Sequence, residues 1–393
     1  MDSNASGASE HVPESGKGTD MTHTSTTLIL SAGFSSRMGD FKPLLPLGGM
    51  TVLERSVSLF RSAGVEDIRV VIGHRAEELQ PLLTHLGVRG ILNPRYREGM
   101  FTSVVAGAET IADGRAPFFV IPVDIPLVRT ATIRHLLEEY EEGRDDVLYP
   151  AFQGVRGHPP LIAARHAREI VKWRGNDGLR GALGQWEDGS RSIAVSDGHI
   201  LNDMDTPEAY AGLLEKVTRY EIPTEAECMA LLEMLLPADS PIIRHGRAVA
   251  DLALTMAGRL NRHDYDLDTR LLEAAGLLHD LARAEADHAQ AGARLLREAG
   301  FGAVAELVAS HMDITPGTGV RITPHELLYL ADKLVQGDRR VTLSERFRVA
   351  LERHGHDPAI LKNVTNRLHA ALSIQTRLEA TLGCPMAEVI SRQ

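Results

Sequence analysis

The stretch LILSAGFSSRMGDFKPLL, residues 28–45, sets small residues and two cations after an apolar run. Gly33 lets the backbone come close to a ligand. Ser35 and Ser36 are short donors, and turn amides can cradle phosphate oxygens. Arg37 adds a forked guanidinium and Lys42 a point charge. The loop from Ser31 to Lys42 could therefore neutralise a nucleoside triphosphate and its departing pyrophosphate. Its spacing is neither that of a P-loop nor that of a dinucleotide-binding glycine fingerprint. Asp124, in VIPVDIPLV, follows another apolar run. A carboxylate there suits Mg2+, which takes one or two carboxylates plus phosphate oxygens; it could equally cap the next helix. Asp203 and Asp205 form a second acidic pair in NDMDTPEAY. Asp205-Thr206-Pro207 reads as a helix start, so at least one of the pair is expected to be a cap.

The second half is rich in a different chemistry. His279-Asp280 ends the apolar stretch LLEAAGLLHD. Neighbours on a helix point about 100° apart, so both reach one metal only at a helix edge facing a cleft. The plain alternative is a helix-terminal His and a solvated Asp. His245 precedes the pair; His288, His311 and Asp332 follow on later apolar stretches. Imidazoles and carboxylates on successive helices can converge in a bundle core on borderline or hard divalent metals. Lys333 could contact phosphate or be a surface lysine, and the surface role is the expected one. His74, His85, His263 and His325 read as surface or satisfied histidines, and Trp173, Trp186 and the methionines as packing residues.

Two kinds of element must position these groups. From Thr27 to about Leu214, apolar runs (TLILSA, IRVVIG, GILN, PFFVIPVD, DVLYPAF) alternate with amphipathic stretches (TVLERSVSLFRSAG, MFTSVVAGAETIA, TATIRHLLEEYEEG). That alternation predicts an α/β domain, three layers around a mostly parallel sheet, with ligands at the carboxyl ends of its strands. After about Arg219 the strands stop and helical apolar spacing takes over, predicting an all-α second domain. The divisions expected are a disordered tail over 1–24, with Met21 a candidate start, a first domain over 25–217 and a second over 218–393. The 393 residues suffice for two or three domains. A net charge of -11 argues against broad binding to nucleic acid or an anionic membrane. Two cysteines, Cys228 and Cys384, without metal spacing fit a reducing cytoplasm. No apolar run nears the roughly 20 residues needed to cross a bilayer.

AGFSSRMGDFK, NPRYREGMFTSV, PVDIPLV, RGHPPL and NDMDTPEAY occur in this order between Thr27 and Leu214. The region resembles the molybdenum cofactor cytidylyltransferase branch of the MobA-like nucleotidyltransferases. The resemblance implies condensation of CTP with molybdopterin cofactor, with loss of pyrophosphate, and molybdenum hydroxylase apoenzymes as takers of the product. It implies that Ala32, Gly33, Arg37 and Lys42 hold the triphosphate. Gly73, Asn93, Gly99 and Ser103 would lie near base and ribose, with Asp124 and Asp203 as ligands of Mg2+. Arg156, Gly157 and His158 would help to form the pterin side. Ser31 stands where family members usually have Ala or Gly. KPLLPLGG is also similar to sugar-phosphate nucleotidyltransferases, so a sugar or alditol phosphate acceptor is the alternative. The double glycine and Asp-Lys pair usual in the guanylyl branch are absent.

From about Arg244 to Arg340 the chain resembles the HD phosphohydrolase superfamily. His245, His279, Asp280 and Asp332 match its mononuclear ligand set, and His288 and His311 the extra pair of its dinuclear members. The resemblance implies one or two divalent ions, iron or manganese, and metal-activated water attacking a phosphoester or phosphoanhydride. The alternative is a nucleotide-sensing module without turnover. LYLADKLVQGDRR is similar to bacterial HD-type dinucleoside polyphosphate hydrolases.

Overall fold

Strand β1 (Thr26–Ser31) is buried along its whole length, as a strand covered on both faces must be. The computed structural model describes residues 25–391 apart from 112, 113, 318, 320, 355 and 356; the tail expected over 1–24 lies outside the described residues. A short hairpin, β2 (Pro46–Leu47) and β3 (Met50–Thr51), leads into α1 (Val52–Ser62). The chain continues through β4 (Asp67–Ile72), α2 (Ala76–Leu86), β5 (Arg89–Leu92), α3 (Met100–Glu109), β6 (Phe118–Pro122) and α4 (Thr130–Glu139). Then come β7 (Val147–Phe152), β8 (Val155–Arg156), β9 (Leu161–Ile162), α5 (Ala167–Lys172), α6 (Gly178–Leu183), β10 (Ser190–Ala194) and α7 (Pro207–Thr218).

The sheet order is β10-β7-β9-β6-β1-β4-β5, with β8 added at β7. Pairing is parallel from β6 through β1 and β4 to β5, and between β10 and β7. The expectation of a mostly parallel sheet holds. Its exceptions are β8, antiparallel to β7, and β9, inserted antiparallel between β6 and β7. Two residues are too few for any periodicity, so this insertion has no signal in the apolar pattern. Adjacency of β1 and β6 matters most: their carboxyl ends launch the loop of Ser31–Lys42 and the turn carrying Asp124.

The second half is helical: α8 (Glu225–Leu235), α9 (Pro241–Asn261), α10 (Thr269–Leu278), α11 (His288–Glu298), α12 (Gly302–Ala309), α13 (Pro324–Lys333), α14 (Leu343–His354), α15 (Pro358–Leu382) and α16 (Met386–Ile390). One departure from the sequence reading is a hairpin, β11 (Val335–Gln336) and β12 (Arg339–Arg340), turning at Gly337 with φ +63°. Glycine takes that conformation without the usual steric cost. Among the described residues, no helix is long and apolar enough to cross a membrane.

Helices α9 and α10 touch backbone to backbone. A Cβ on Gly276 would lie 2.6 Å from Ala250 Cα, and one on Gly246 would lie 2.6 Å from the Leu277 carbonyl oxygen. Such overpacking forces the backbone to move. Gly276→Ala is therefore expected to lower stability by about 1–3 kcal/mol. An unchanged thermal midpoint would mean that the helices have slack there.

The halves meet at Arg129, which is 2% exposed. Its guanidinium donates to the carbonyl of Tyr220 at 2.6 Å and to Glu227 Oε1 at 3.3 Å. It lies 4.7 Å from the Tyr220 ring and 4.4 Å from the Phe301 ring. Asp197, itself buried, accepts from the Arg129 amide and the Thr132 hydroxyl, each at 2.7 Å.

Candidate functional site

The first cleft has a volume of about 290 Å3 and is lined by residues 30–37, Lys42, Pro43, Tyr96, Arg97, Gly99, Met100, Ser103, residues 122–124 and Asp205. Lys42 is its pivot. The ammonium donates to Asp124 Oδ2 at 3.0 Å and to Asp205 Oδ1 at 2.7 Å. Burial works against the charge, but the two carboxylates outweigh it and raise the lysine above its ordinary value. Asp205 is held low, first by the hydrogen bond from Lys42. Arg37 reaches Asp205 from the solvent side at 2.8 Å. The Met204 amide donates to the Asp124 carbonyl at 3.0 Å, tying the last segment to the β6 turn.

Asp205 and not Asp203 stands in this cluster. Asp203 is exposed and does not line the cleft. Thr206 fills the N-cap of α7, accepting from the Ala209 amide at 3.2 Å. Asp205 is thereby left free for Lys42. The signal was available: a Thr directly before Pro207 already satisfied the cap.

Ala32, Gly33, Ser35 and Ser36 line the cleft, and so do Gly99 and Ser103. Asn93 and Gly73 stand behind it. Asn93 donates to Thr102 Oγ1 at 2.9 Å and Ser103 Oγ at 3.0 Å, so it positions the start of α3. A Cβ on Gly73 would lie 2.7 Å from that of Tyr96. An exposed cluster was missed from sequence: Phe34 packs on His74 and Tyr96, with ring centroids 5.1 and 5.2 Å away, and the Arg97 guanidinium lies 5.7 Å from the Phe34 ring.

Of the expected pterin-side group, Arg156 is exposed and bound to Glu187 at 2.8 Å. A Cβ on Gly157 would meet the Ile200 carbonyl oxygen at 2.6 Å. His158 precedes a cis peptide bond to Pro159. Its Nδ1 is buried without a hydrogen-bond partner. Burial lowers its pKa, with the nearby Asp124 charge opposing in part, so the imidazole is neutral at pH 7.

In the second half, six side chains converge from helix ends. His279 and Asp280 directly follow α10, His288 opens α11, His311 follows α12, and His245 and Asp332 lie on α9 and α13. His245 Nε2 is 3.1 Å from Asp332 Oδ1 and 3.9 Å from Asp280 Oδ2. His279 Nε2 is 3.7 Å from each of those oxygens. The other oxygen, Asp280 Oδ1, faces His288 Nε2 at 3.4 Å and His311 Nε2 at 3.5 Å. Asp280 therefore stands between two ligand groups, His245–His279–Asp280 and Asp280–His288–His311.

The imidazoles are oriented for a metal. Nδ1 of His245, His279 and His311 lies 2.7, 2.8 and 2.7 Å from the carbonyls of Gly337, Gly276 and Val308. A carbonyl only accepts, so Nδ1 carries a proton and Nε2 is the atom that faces inward. Nε2 of His279, His288 and His311 is buried without a hydrogen-bond partner. Buried polar atoms are rarely left so, and divalent ions at the two ligand groups would satisfy all three. Burial disfavours ionisation of Asp280, yet the His311 and His279 imidazoles more than offset it and hold its pKa well below the carboxylate range. Burial likewise lowers His288 and His311, whereas His279 is raised despite its burial by the Asp332 and Asp280 carboxylates.

Lys333 is not the surface lysine expected. It is 6% exposed, donates to Asp332 Oδ2 at 2.6 Å and lies 3.3 Å from the His311 carbonyl oxygen. Arg283 reaches Asp280 at 3.0 Å from outside. Neither Arg283 nor the Gly337 carbonyl was singled out from sequence; the i,i+3 spacing of Arg283 from Asp280 was the readable signal.

A strand-end phosphate cleft on a parallel sheet, followed by a helical bundle with inward-facing imidazoles, defines a nucleotidyltransferase-type domain joined to a metal-ligating one. Comparison with known families agrees. Residues 27–189 match the MobA-like NTP transferase domain and residues 242–337 the HD domain, and the chain joins a domain of each family. It is 28% identical over 192 residues to the molybdenum cofactor cytidylyltransferase of Escherichia coli K12, covering 96% of that protein and 49% of this one. It is also 28% identical over 196 residues to the nicotine blue oxidoreductase of Paenarthrobacter nicotinovorans, covering 96% of that protein and 48% of this one. Among solved structures, Rv0371c from Mycobacterium tuberculosis H37Rv is 25% identical, with a TM-score of 0.44 over 50% of this chain and 100% of that one.

Proposed function

We propose that the chain is a bifunctional enzyme. The first domain, residues 25–217, transfers CMP from CTP to molybdopterin cofactor; the second, from residue 218, is a metal-dependent phosphohydrolase. The observation that carries the first reading is the bridge from Lys42 to Asp124 and Asp205 at the foot of the loop after β1. In the proposed reaction a phosphate oxygen of the acceptor bonds to the α-phosphorus of CTP. The bond from that phosphorus to the bridging oxygen breaks, and pyrophosphate leaves with its electron pair. This chemistry needs positioning and charge neutralisation more than proton transfer. The turn amides from Gly33 to Ser36, with Arg37 and Lys42, neutralise the triphosphate. Asp124 and Asp205 would hold Mg2+, which would supply further neutralisation; their oxygens are the donor type that ion prefers. Gly99 and Ser103, backed by Asn93, face the base and ribose, and neutral His158 lies on the acceptor side. Molybdenum hydroxylase apoenzymes are the proposed takers of the product, and the free thiols of Cys228 and Cys384 support a cytoplasmic setting.

The second reading rests on the three unpartnered Nε2 atoms. His245, His279, Asp280, His288, His311 and Asp332 would hold two divalent ions, iron or manganese, which supply an activated water and polarise a phosphoryl oxygen. Buried Lys333 keeps Asp332 ionised, and the backbone carbonyls fix the imidazole tautomers.

Incubating the chain with molybdopterin cofactor, Mg2+ and each nucleoside triphosphate, and following pyrophosphate, tests the first activity. CTP-dependent release is the expected result. Release with GTP alone, or only with a sugar or alditol phosphate as acceptor, would overturn the assignment.

A further inference from the structure

Glu227 stands on α8, whose Cys228, Leu231 and Leu232 pack in the helical core, and is itself 3% exposed. Glutamate is rarely buried so far unless it is paired. Its two oxygens have separate tasks. Oε2 closes the capping box of α8, accepting from the Thr224 amide at 2.9 Å and the Thr224 hydroxyl at 3.1 Å. The cap needs no more than that. Oε1 reaches into the first half instead, accepting from Arg129 and from the Gly198 amide, each at 3.3 Å. Glu227 belongs to neither of the two matched regions, so this contact is the chain's own addition.

Gly198 is the root of a strap that runs from this contact to the first cleft. It opens a single 3-10 turn, Gly198–Leu201, capped by Asp197, which accepts from the His199 amide at 3.0 Å. The His199 ring lies nearly parallel to that of Tyr220, with centroids 5.7 Å apart. Next, the Ile200 carbonyl accepts from the His158 amide at 3.0 Å, on the acceptor side. Asn202 accepts from Lys216 at 2.5 Å. Met204, fully buried, donates to the Asp124 carbonyl, and Asp205 then meets Lys42. Between the short turn and Asp205 the strap has no helix or strand of its own, so these ties set its course. A shift of about 1 Å in a reacting group can cost about 100-fold in rate.

We propose that Glu227 is a positioning residue for nucleotidyl transfer: the helical half holds the root of the strap and thereby sets Asp205 against Lys42 and the His158 turn beside them. The proposal rests on the transferase reading above and adds to it a residue supplied by the other half. Removing Glu227 outright takes a carboxylate partner from buried Arg129 and costs stability, so the tie is first cut from the other end. Gly198→Pro deletes the amide donor at the first position of a helical turn, where proline is suited, after an extended Asp197 with φ -108° and ψ 97°. Gly198→Ala keeps the amide, and its Cβ would meet nothing nearer than 3.5 Å. In the full-length Gly198→Pro chain, amide hydrogen exchange at His199 and Met204 is expected to quicken about tenfold, with the β1 and β6 amides unchanged. Its kcat for CTP-dependent pyrophosphate release should fall about tenfold while KM for CTP stays within about twofold, because the loop that holds the triphosphate lies outside the strap. Gly198→Ala should match the parent in both measurements. Glu227→Ala, where it folds, should lower kcat likewise, and adding Gly198→Pro should slow it no further, since both cut one hydrogen bond. A folded Gly198→Pro chain with parental exchange would overturn the proposal, as would quickened exchange at parental kcat or single effects that multiply. A parent chain that releases no pyrophosphate with any nucleoside triphosphate would remove the transferase reading, and exchange alone would then decide whether Glu227 holds the strap.

Discussion

Asp280→Ala is expected to empty the HD centre of both metals at once. Its two oxygens face different partners: Oδ2 points to His245 and His279, and Oδ1 to His288 and His311. No other side chain among the described residues belongs to both candidate ligand groups. Loss of even an outer partner of a metal ligand weakens binding about 10- to 100-fold, so loss of the shared carboxylate should exceed that at each position. Elemental analysis after dialysis should fall from about two ions per chain to near none, and phosphoester hydrolysis should vanish with it. His279→Ala is the contrasting case: it removes a ligand from one group and should spare an ion at His288–His311. Retention of two ions by a folded Asp280→Ala chain would sink the shared-ligand assignment. Circular dichroism checks the fold, and little change is expected because the Asp280 carboxylate contacts the side chains of Arg283 and the four histidines.

Lys42→Ala should lower pyrophosphate release about 100- to 1000-fold, the scale seen when one preorganised donor to a developing charge is removed. Lys42 is 8% exposed and bridges two carboxylates from distant parts of the chain. Without it, Asp124 and Asp205 face each other with only exposed Arg37 to balance them. Lys42→Arg should not rescue, because a broad guanidinium fork cannot replace a point charge in that space. The chain supplies its own control: metal content of the second domain should stay unchanged in either variant. A Lys42→Ala rate within tenfold of the parent would remove the lysine from the transfer step.

The alternation of buried runs and amphipathic stretches made the α/β half legible, because a doubly covered strand must be apolar throughout. The same logic is silent on β9, whose two residues are buried by neighbours far apart in sequence. The imidazole cluster was legible through residue type and order, since few other arrangements make four imidazoles and two carboxylates useful together. What sequence could not supply was direction. Asp203 and Asp205 differ only in which way a turn points them, and Thr206 decides that by taking the cap. Lys333 read as a surface residue because one of its two partners, the His311 carbonyl, lies far off in sequence. The Gly337 carbonyl carries no side-chain signature at all, yet it orients His245.

The setting of Arg129 bears on how the halves move and part. Its guanidinium sits between the rings of Tyr220 and Phe301 and bonds across to Glu227. Rotation of one half against the other would pull that wedge from its slot and take from the buried Glu227 carboxylate its guanidinium partner. At this contact Arg129 bolts the two halves together. A chain severed after residue 217 would lose that bolt and give two pieces with raw faces, so any study of either site is best made on the whole.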